Sequence, residues 1–340
     1  MTLNPTIIAD EHLLNVETLF GHHGKVIRTP SQKITSAILK DADLLLVRSV
    51  TSVNEKLLKN SAVQWVGTAT AGTDHLDLDW LNKAHIAWAH APGANANAVA
   101  SYVMSCVKTL QKNSFLNPEK RKAAVVGVGQ IGSLVSQFLQ QRGFTVAEID
   151  PPRVEREPSF QSAPLEVLMD ADLICLHTPL TFSTKNKAEK IAHAALSPYP
   201  TYHLLNQFWL ERLKPGAILL NAGRGGVLDE KALLKTRPDL VLCCDVWENE
   251  PDINLALLER AFIATPHIAG YTVKAKERLT QLLYEKACQY FGWIPQASTV
   301  RTKKERKLTA GSYDPLTDTA LLKTSKNFEK MRRHYPLREE

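Results

Sequence analysis

KAAVVGVGQIGSLVSQFLQQRGFTVAEID, residues 122–150, decides the fold class of this 340-residue chain. A short apolar run is followed by Gly127-Val128-Gly129-Gln130-Ile131-Gly132, then by a helical pattern, then by a second apolar run closing on Asp150. That order, strand–glycine turn–helix–strand, is the opening unit of a dinucleotide-binding sheet. The first glycine permits the tight turn, the second lets the backbone approach a pyrophosphate, and the third lets the helix pack against the strand. The helix N-terminus supplies free N–H groups to the phosphates. Gly127, Gly129, Gln130, Ile131 and Gly132 are therefore expected to hold a dinucleotide. Asp150 stands where a carboxylate accepts both ribose hydroxyls and repels a 2′-phosphate, which favours NAD over NADP. Arg153 would soften that discrimination. The competing reading is a glycine turn in an α/β protein without nucleotide, and the terminal acid counts against it.

The material on either side has the same rhythm. TIIAD (6–10), DLLLVRS (43–49), VQWVGTA (63–69) and IAWAHAP (86–92) read as strands, and EHLLNVETLF (11–20) reads as an amphipathic helix. After a helix over about 98–110, strands recur at 123–126, 172–179, 217–223, 240–247 and 262–269. Strands alternating with helical patterns predict parallel sheets with crossovers. The expected architecture is α/β, with two doubly wound parallel-sheet domains: a flavodoxin-like substrate domain and a Rossmann domain for NAD. The second would be inserted in the first: 1–95 with 268–295 for the substrate domain, 96–267 for the NAD domain, and 296–340 as a small C-terminal appendage with a helix over 321–335.

Composition sets the remaining bounds. Hydrophobic residues make up 44% and charged residues 22%, as in an ordinary globular protein. The net charge is +6, of which residues 301–340 hold +5 (11 Lys/Arg against 6 Asp/Glu). A solvated helical face or a protein contact explains this better than nucleic-acid binding, because no nucleic-acid motif accompanies it. Five cysteines, an odd number with no C-x-x-C, fit a reducing compartment, and no run approaches a membrane span. A cytoplasmic protein without membrane, nucleic-acid or metal partners is expected.

Three residues just past later strands carry chemistry together. A dehydrogenase of 2-hydroxy acids needs a guanidinium for the carboxylate and C2 oxygen, a base near pKa 7 for the hydroxyl proton, and a carboxylate to orient that base. Arg224 follows NAG, Glu250 lies in DVWENEP and His267 lies in TPHIAGYT. Singly, each would pass for a satisfied core or loop residue. Jointly, at the sheet edge where such folds bind ligands, they form a candidate catalytic set. Arg48, a cation at a strand end beside Ser49, would suit a phosphate.

GVGQIG, HTPL (177–180), KPGAILLNAGRG (214–225), DVWENEP (245–251) and PHIAG (266–270) resemble the D-isomer-specific 2-hydroxyacid dehydrogenases. The resemblance runs over about residues 5–295. RSVTSVNEKLL (48–58), VGTATAGTDHLD (66–77) and DPPR (150–153) resemble one branch, which acts on a phosphorylated hydroxy acid. Commoner members, including phosphoglycerate dehydrogenase, carry an Arg-x-Gly-x-Gly-x-Asp-Asn type of sequence where this chain has TATAGTDH. The resemblance implies catalysis by Arg224, Glu250 and His267, with His267 as proton acceptor. It implies NAD contacts from Asp150, Thr178, Ala222, Gly223, Arg224, Asp245 and Gly270, substrate contacts from Ser49, Thr70 and Tyr271, and a homodimer. Three departures stand out: an insertion at 183–197, Ser101 where the family has an acid, and a shortened C-terminal dimerisation-like segment. Rival readings are a dehydrogenase for another hydroxy acid, such as 3-phosphoglycerate, and a non-catalytic NAD sensor. The full set of Arg, Glu and His counts against the sensor.

Overall fold

The computed structural model describes residues 4–183, 195–295 and 313–339. Strands β1 (Thr6–Asp10), β2 (Lys25–Thr29), β3 (Leu44–Val47), β4 (Trp65–Thr68) and β5 (Ala87–His90) form one parallel sheet ordered β2-β1-β3-β4-β5. Every residue of β3 and β4 is buried, which is why they read as unbroken apolar runs and not as alternation. Helices α1 (Val16–Phe20), α2 (Glu55–Leu58) and α3 (Leu78–Lys83) lie in the crossovers. The helix expected from residue 11 starts only at Val16, because Leu13 N–H turns back to Asp10 O and Asn15 sits at φ 58°. The sequence reading missed β2, KVIRT, an edge strand too polar and half-exposed to show as an apolar run.

The second half begins with α4 (Ala96–Lys112) and continues with β6 (Lys122–Val126), α5 (Gln130–Gln141), β7 (Thr145–Ile149), α6 (Pro151–Arg156) and β8 (Leu173–Leu176). A separate short parallel pair follows, β9 (Phe182–Ser183) with β10 (Leu196–Ser197). After α7 (Gln207–Leu210) come β11 (Ile218–Asn221), α8 (Glu230–Thr236), β12 (Val241–Cys244), α9 (Leu255–Arg260) and β13 (Ile263–Ala264). The six-stranded sheet has the order β13-β12-β11-β8-β6-β7, all parallel. In both sheets the first strand lies between the second and the third. The carboxyl ends there open a crevice, the usual ligand position of such sheets.

The chain then returns to the first sheet. Helix α10 (Val273–Phe291) buries Leu279, Leu283, Tyr284 and Ala287 against Ile7, Leu44, Leu46 and Trp65. Its start is fixed by Thr272, whose hydroxyl accepts the Ala275 N–H at 3.1 Å. Helices α11 (Pro315–Ser325) and α12 (Phe328–Arg333) replace the single helix expected over 321–335, because Lys326 turns left-handed at φ 50°. Leu322 and Phe328 enter the core of the six-stranded sheet, and Ala264 N–H donates to Thr319 Oγ1 at 2.9 Å. The insertion beyond its flanking residues, and the basic stretch of the tail before residue 313, lie outside the described residues. No described helix is long and apolar enough to cross a membrane.

Candidate active site

The glycine turn shows why its three glycines differ. Gly127 has φ +86°, and a Cβ there would lie 2.8 Å from the backbone of residues 177 and 178. A Cβ on Gly132 would lie 2.0 Å from Gly127 O, so the strand–helix contact demands glycine. A Cβ on Gly129 would meet nothing within 4 Å. The protein's own packing thus requires the first and third glycines, and the middle one faces free space at the start of a 12-residue helix. That space fits a pyrophosphate. Gly129 and Gln130 line a cavity of about 800 Å³ with Ser133, Arg153, Arg156 and Arg278. The neighbouring Ile131 lines the main cleft instead, so a dinucleotide laid across this helix start would reach both.

Asp150 has both carboxylate oxygens engaged: Oδ2 accepts Val128 N–H at 2.8 Å and Oδ1 accepts Arg153 N–H at 3.0 Å. It therefore ties the glycine turn to the next strand as well as presenting charge beside it. Arg153 is held by Glu157 at 2.7 Å and by Val128 O at 2.9 Å. Thr178 lies buried behind Gly127 and Gly223, its hydroxyl without a partner among the described residues.

The main cleft, of about 660 Å³, opens between the two sheets. Arg48, Ser49 and Thr70 line it from the first sheet; Ala222, Gly223, Arg224, Asp245, Glu250, His267, Gly270 and Tyr271 line it from the second half. His267 Nδ1 lies 2.8 Å from Glu250 Oε2, and Glu250 Oε1 accepts Trp247 N–H at 2.9 Å. Burial acts to raise the Glu250 pKa. His267, Arg332 and the Trp247 N–H outweigh it and hold the group below the ordinary glutamate value. An ionised Glu250 fixes the proton of the imidazole on Nδ1 and leaves Nε2 as the basic nitrogen. His267 itself sits at φ 57°, its N–H bonded to Asp245 O at 2.7 Å. The buried Asp245 carboxylate accepts Thr265 Oγ1 and Ile268 N–H, each at 2.7 Å, and Ala269 N–H at 3.0 Å. Its visible work is to shape the loop that carries His267.

Arg224 faces the cleft with Nε and Nη2 at 3.1 and 3.0 Å from Asp74 Oδ2. Asp74 belongs to VGTATAGTDH, so that stretch meets the guanidinium through a carboxylate. The threonines mostly serve the turn itself. Thr68 Oγ1 contacts Thr70 Oγ1 at 2.9 Å and His75 Nε2 at 2.7 Å, and Thr70 Oγ1 donates to Gly72 O at 2.6 Å.

Two cationic residues of the cleft escaped the sequence reading, Lys276 on α10 and Arg332 on α12. Lys276 sits on α10 among other charged residues, Lys274, Glu277 and Arg278, with no local motif to set it apart. Arg332 is separated from the other site residues by the whole tail. Ser101 lies on α4, and its carbonyl accepts the Ser105 hydroxyl at 3.1 Å.

Two parallel sheets, a dinucleotide turn, and a His–Glu pair facing an arginine define a class: a nucleotide-dependent dehydrogenase of hydroxy acids. The catalytic domain of the D-isomer specific 2-hydroxyacid dehydrogenases matches residues 7–301, and the chain belongs to that family of NAD-dependent oxidoreductases. It is 43% identical to the erythronate-4-phosphate dehydrogenase of Coxiella burnetii (strain RSA 331 / Henzerling II), over 98% of this chain and 93% of that protein. It is 38% identical to the enzyme of the same name from Pseudomonas syringae pv. syringae, over 98% and 92%. Among solved structures, the NAD⁺-bound 3-phosphoglycerate dehydrogenase of Entamoeba histolytica superposes with a TM-score of 0.67 at 21% identity, over 89% of this chain and 99% of that one. The D-lactate dehydrogenase of Aquifex aeolicus, complexed with NAD and lactic acid, gives 0.64 at 24% identity, over 85% and 96%. These likenesses show the fold.

Proposed function

We propose that the chain oxidises 4-phospho-D-erythronate at C2 to (R)-3-hydroxy-2-oxo-4-phosphooxybutanoate, a step of vitamin B6 biosynthesis. The observation that carries the chemistry is the His267 Nδ1–Glu250 pair at 2.8 Å, with Arg224 lining the same cleft. Arg224 holds the substrate carboxylate and polarises the C2 oxygen. His267 Nε2 takes the hydroxyl proton, and Glu250 stabilises the resulting imidazolium. Bound NAD, held at Gly127–Gly132 and Asp150, supplies the hydride acceptor. Thr178, Ala222, Gly223, Asp245 and Gly270 would border it. Ser49, Thr70 and Tyr271 would face the substrate beside Arg48.

The choice of substrate is supported by relatives of that name at 36–43% identity over 98% of the chain, and by TATAGTDH standing at the cleft. We read residues 1–95 with 268–295 as the substrate domain and 96–267 as the NAD domain, hinged to close over the substrate and exclude water. We read the chain as a cytoplasmic homodimer. Five buried free thiols support the reducing compartment, and the family resemblance supports the dimer. A substrate panel followed by NADH fluorescence tests the proposal. NADH is expected with 4-phospho-D-erythronate; a signal with 3-phosphoglycerate and none with 4-phosphoerythronate overturns the substrate assignment.

A further inference from the structure

We infer that Arg332 and Lys276, beside Arg48 and Ser49, form the subsite that grips the phosphate of the substrate, so that the C-terminal segment supplies part of the active site. The inference rests on the proposed phosphorylated substrate and names the residues that select it.

All of these side chains line the main cleft. Arg332 Nη2 lies 3.4 Å from Ser49 Oγ and Nη1 lies 3.4 Å from Glu250 Oε2, while its buried Nε has no partner among the described residues. The carboxylate it approaches is already committed to His267 at 2.8 Å. Lys276 Nζ stands 3.9 Å from the centroid of the Tyr271 ring, and the carboxylate that acts on it, Asp10, is already bonded to Arg48. Arg48 pairs with Asp10 at 2.8 Å, and Arg332 shares Glu250 with His267. The wall thus holds three partly buried cations, Arg48, Lys276 and Arg332, against two carboxylates, Asp10 and Glu250. A phosphate brings a charge of about −1.5 to −2 and three acceptor oxygens, which suits a forked guanidinium with an ammonium beside it.

The surrounding groups register this excess. Burial acts to raise the Tyr271 hydroxyl, yet Lys276, Arg332 and Arg48 hold it below the ordinary phenol value. Burial lowers Lys276, and Arg48 and Arg332 lower it further.

Arg332 is held where it is from both sides. Before it, Phe328 is buried in the core and Asn327 caps α12 by accepting Lys330 N–H at 3.0 Å. After it, Arg338 N–H donates to Tyr271 O at 3.1 Å and Arg338 O accepts Val273 N–H at 3.0 Å. The Arg338 guanidinium also donates to Ile268 O and Ala269 O at 2.9 and 2.6 Å. The tail is therefore stitched to the loop that carries His267.

The test compares 4-phospho-D-erythronate with D-erythronate in the wild type, Arg332→Gln, Arg332→Lys and Lys276→Gln. Loss of one charge-assisted contact to the phosphate predicts a fall in kcat/KM of roughly 10–100-fold for the phosphorylated acid, mostly in KM. The Gln variants should lose clearly less with D-erythronate, where only the contact of Arg332 with Glu250 is removed, than with the phosphorylated acid, and Arg332→Lys should recover part of the loss. An equal fall for both acids would make Arg332 a brace for Glu250 or a carboxylate ligand and overturn the inference, as would unchanged kinetics in both Gln variants. If the wild type turns over a different hydroxy acid, the proposed function fails first. The subsite is then judged by inorganic phosphate as a competitive inhibitor: weaker inhibition in Arg332→Gln or Lys276→Gln supports it, and equal inhibition overturns it.

Discussion

Residues 127–132 and residues 67–75 both turn the chain at the carboxyl end of a buried parallel strand, β6 in one case and β4 in the other, yet they are built by opposite means. The first turn is backbone against backbone. Gly132 touches Gly127 so closely that no side chain fits, and Gly129 is left open at the helix start. The second turn is held by side chains, with Thr68, Thr70 and His75 bonded to one another and to Gly72 O. Its outward group is Asp74, which reaches Arg224. A backbone-built site follows from glycine spacing within one segment. A site built from side chains depends on what the rest of the chain brings to it.

The largest effect should come from His267, the proposed base, which lines the cleft beside residues of the second turn. His267→Asn is expected to lower kcat by roughly 10²–10⁴-fold with NAD binding retained, as measured by stopped-flow turnover beside a cofactor titration. Near-normal turnover would remove His267 from the chemistry. Next in size is the contrast within the backbone-built turn. Gly132→Ala should cost about 1–3 kcal/mol of stability through overpacking, while Gly129→Ala should keep its Tm and lose cofactor affinity. Equal Tm values with equal NAD affinity would break the distinction drawn between the two glycines.

The side-chain-built turn should respond to pH. Burial, the largest influence, lowers His75 from 6.5 to about 4. The unfolded chain then binds more protons between those values, so the stabilisation is complete above pH 6.5 and is lost as pH falls toward 4. His75→Gln should flatten that part of the Tm–pH curve; a curve parallel to wild type would show that a neutral His75 does not hold the turn. The smallest effect concerns Asp74. Its pair with Arg224 is partly exposed and worth at most about 1 kcal/mol, so Asp74→Asn should lower substrate KM a few-fold by freeing the guanidinium. A raised KM would instead make Asp74 a substrate contact.

The same contrast explains what the sequence made legible. GVGQIG and the strands of the six-stranded sheet show in apolar runs and glycine spacing because both sheet faces are buried. Arg224, Glu250 and His267 could be picked out because each follows such a strand. β2 escaped because an edge strand carries polar residues on a half-exposed surface. Lys276 and Arg332 escaped because only tertiary packing brings α10 and α12 to one wall, and a lone cation in a helix usually marks a solvated face. Thr70, a substrate contact by family resemblance alone, lines the cleft, and its hydroxyl donates to its own turn.

On the proposed function, this cleft removes hydride from C2 of a phosphorylated 2-hydroxy acid. Single-turnover NADH formation with 4-phospho-D-erythronate, protiated or deuterated at C2, tests it most directly. One NADH per site, a slower rate with the deuterated acid, and deuterium in the reduced cofactor are expected. No NADH, or a reduced cofactor free of the C2 label, would contradict it.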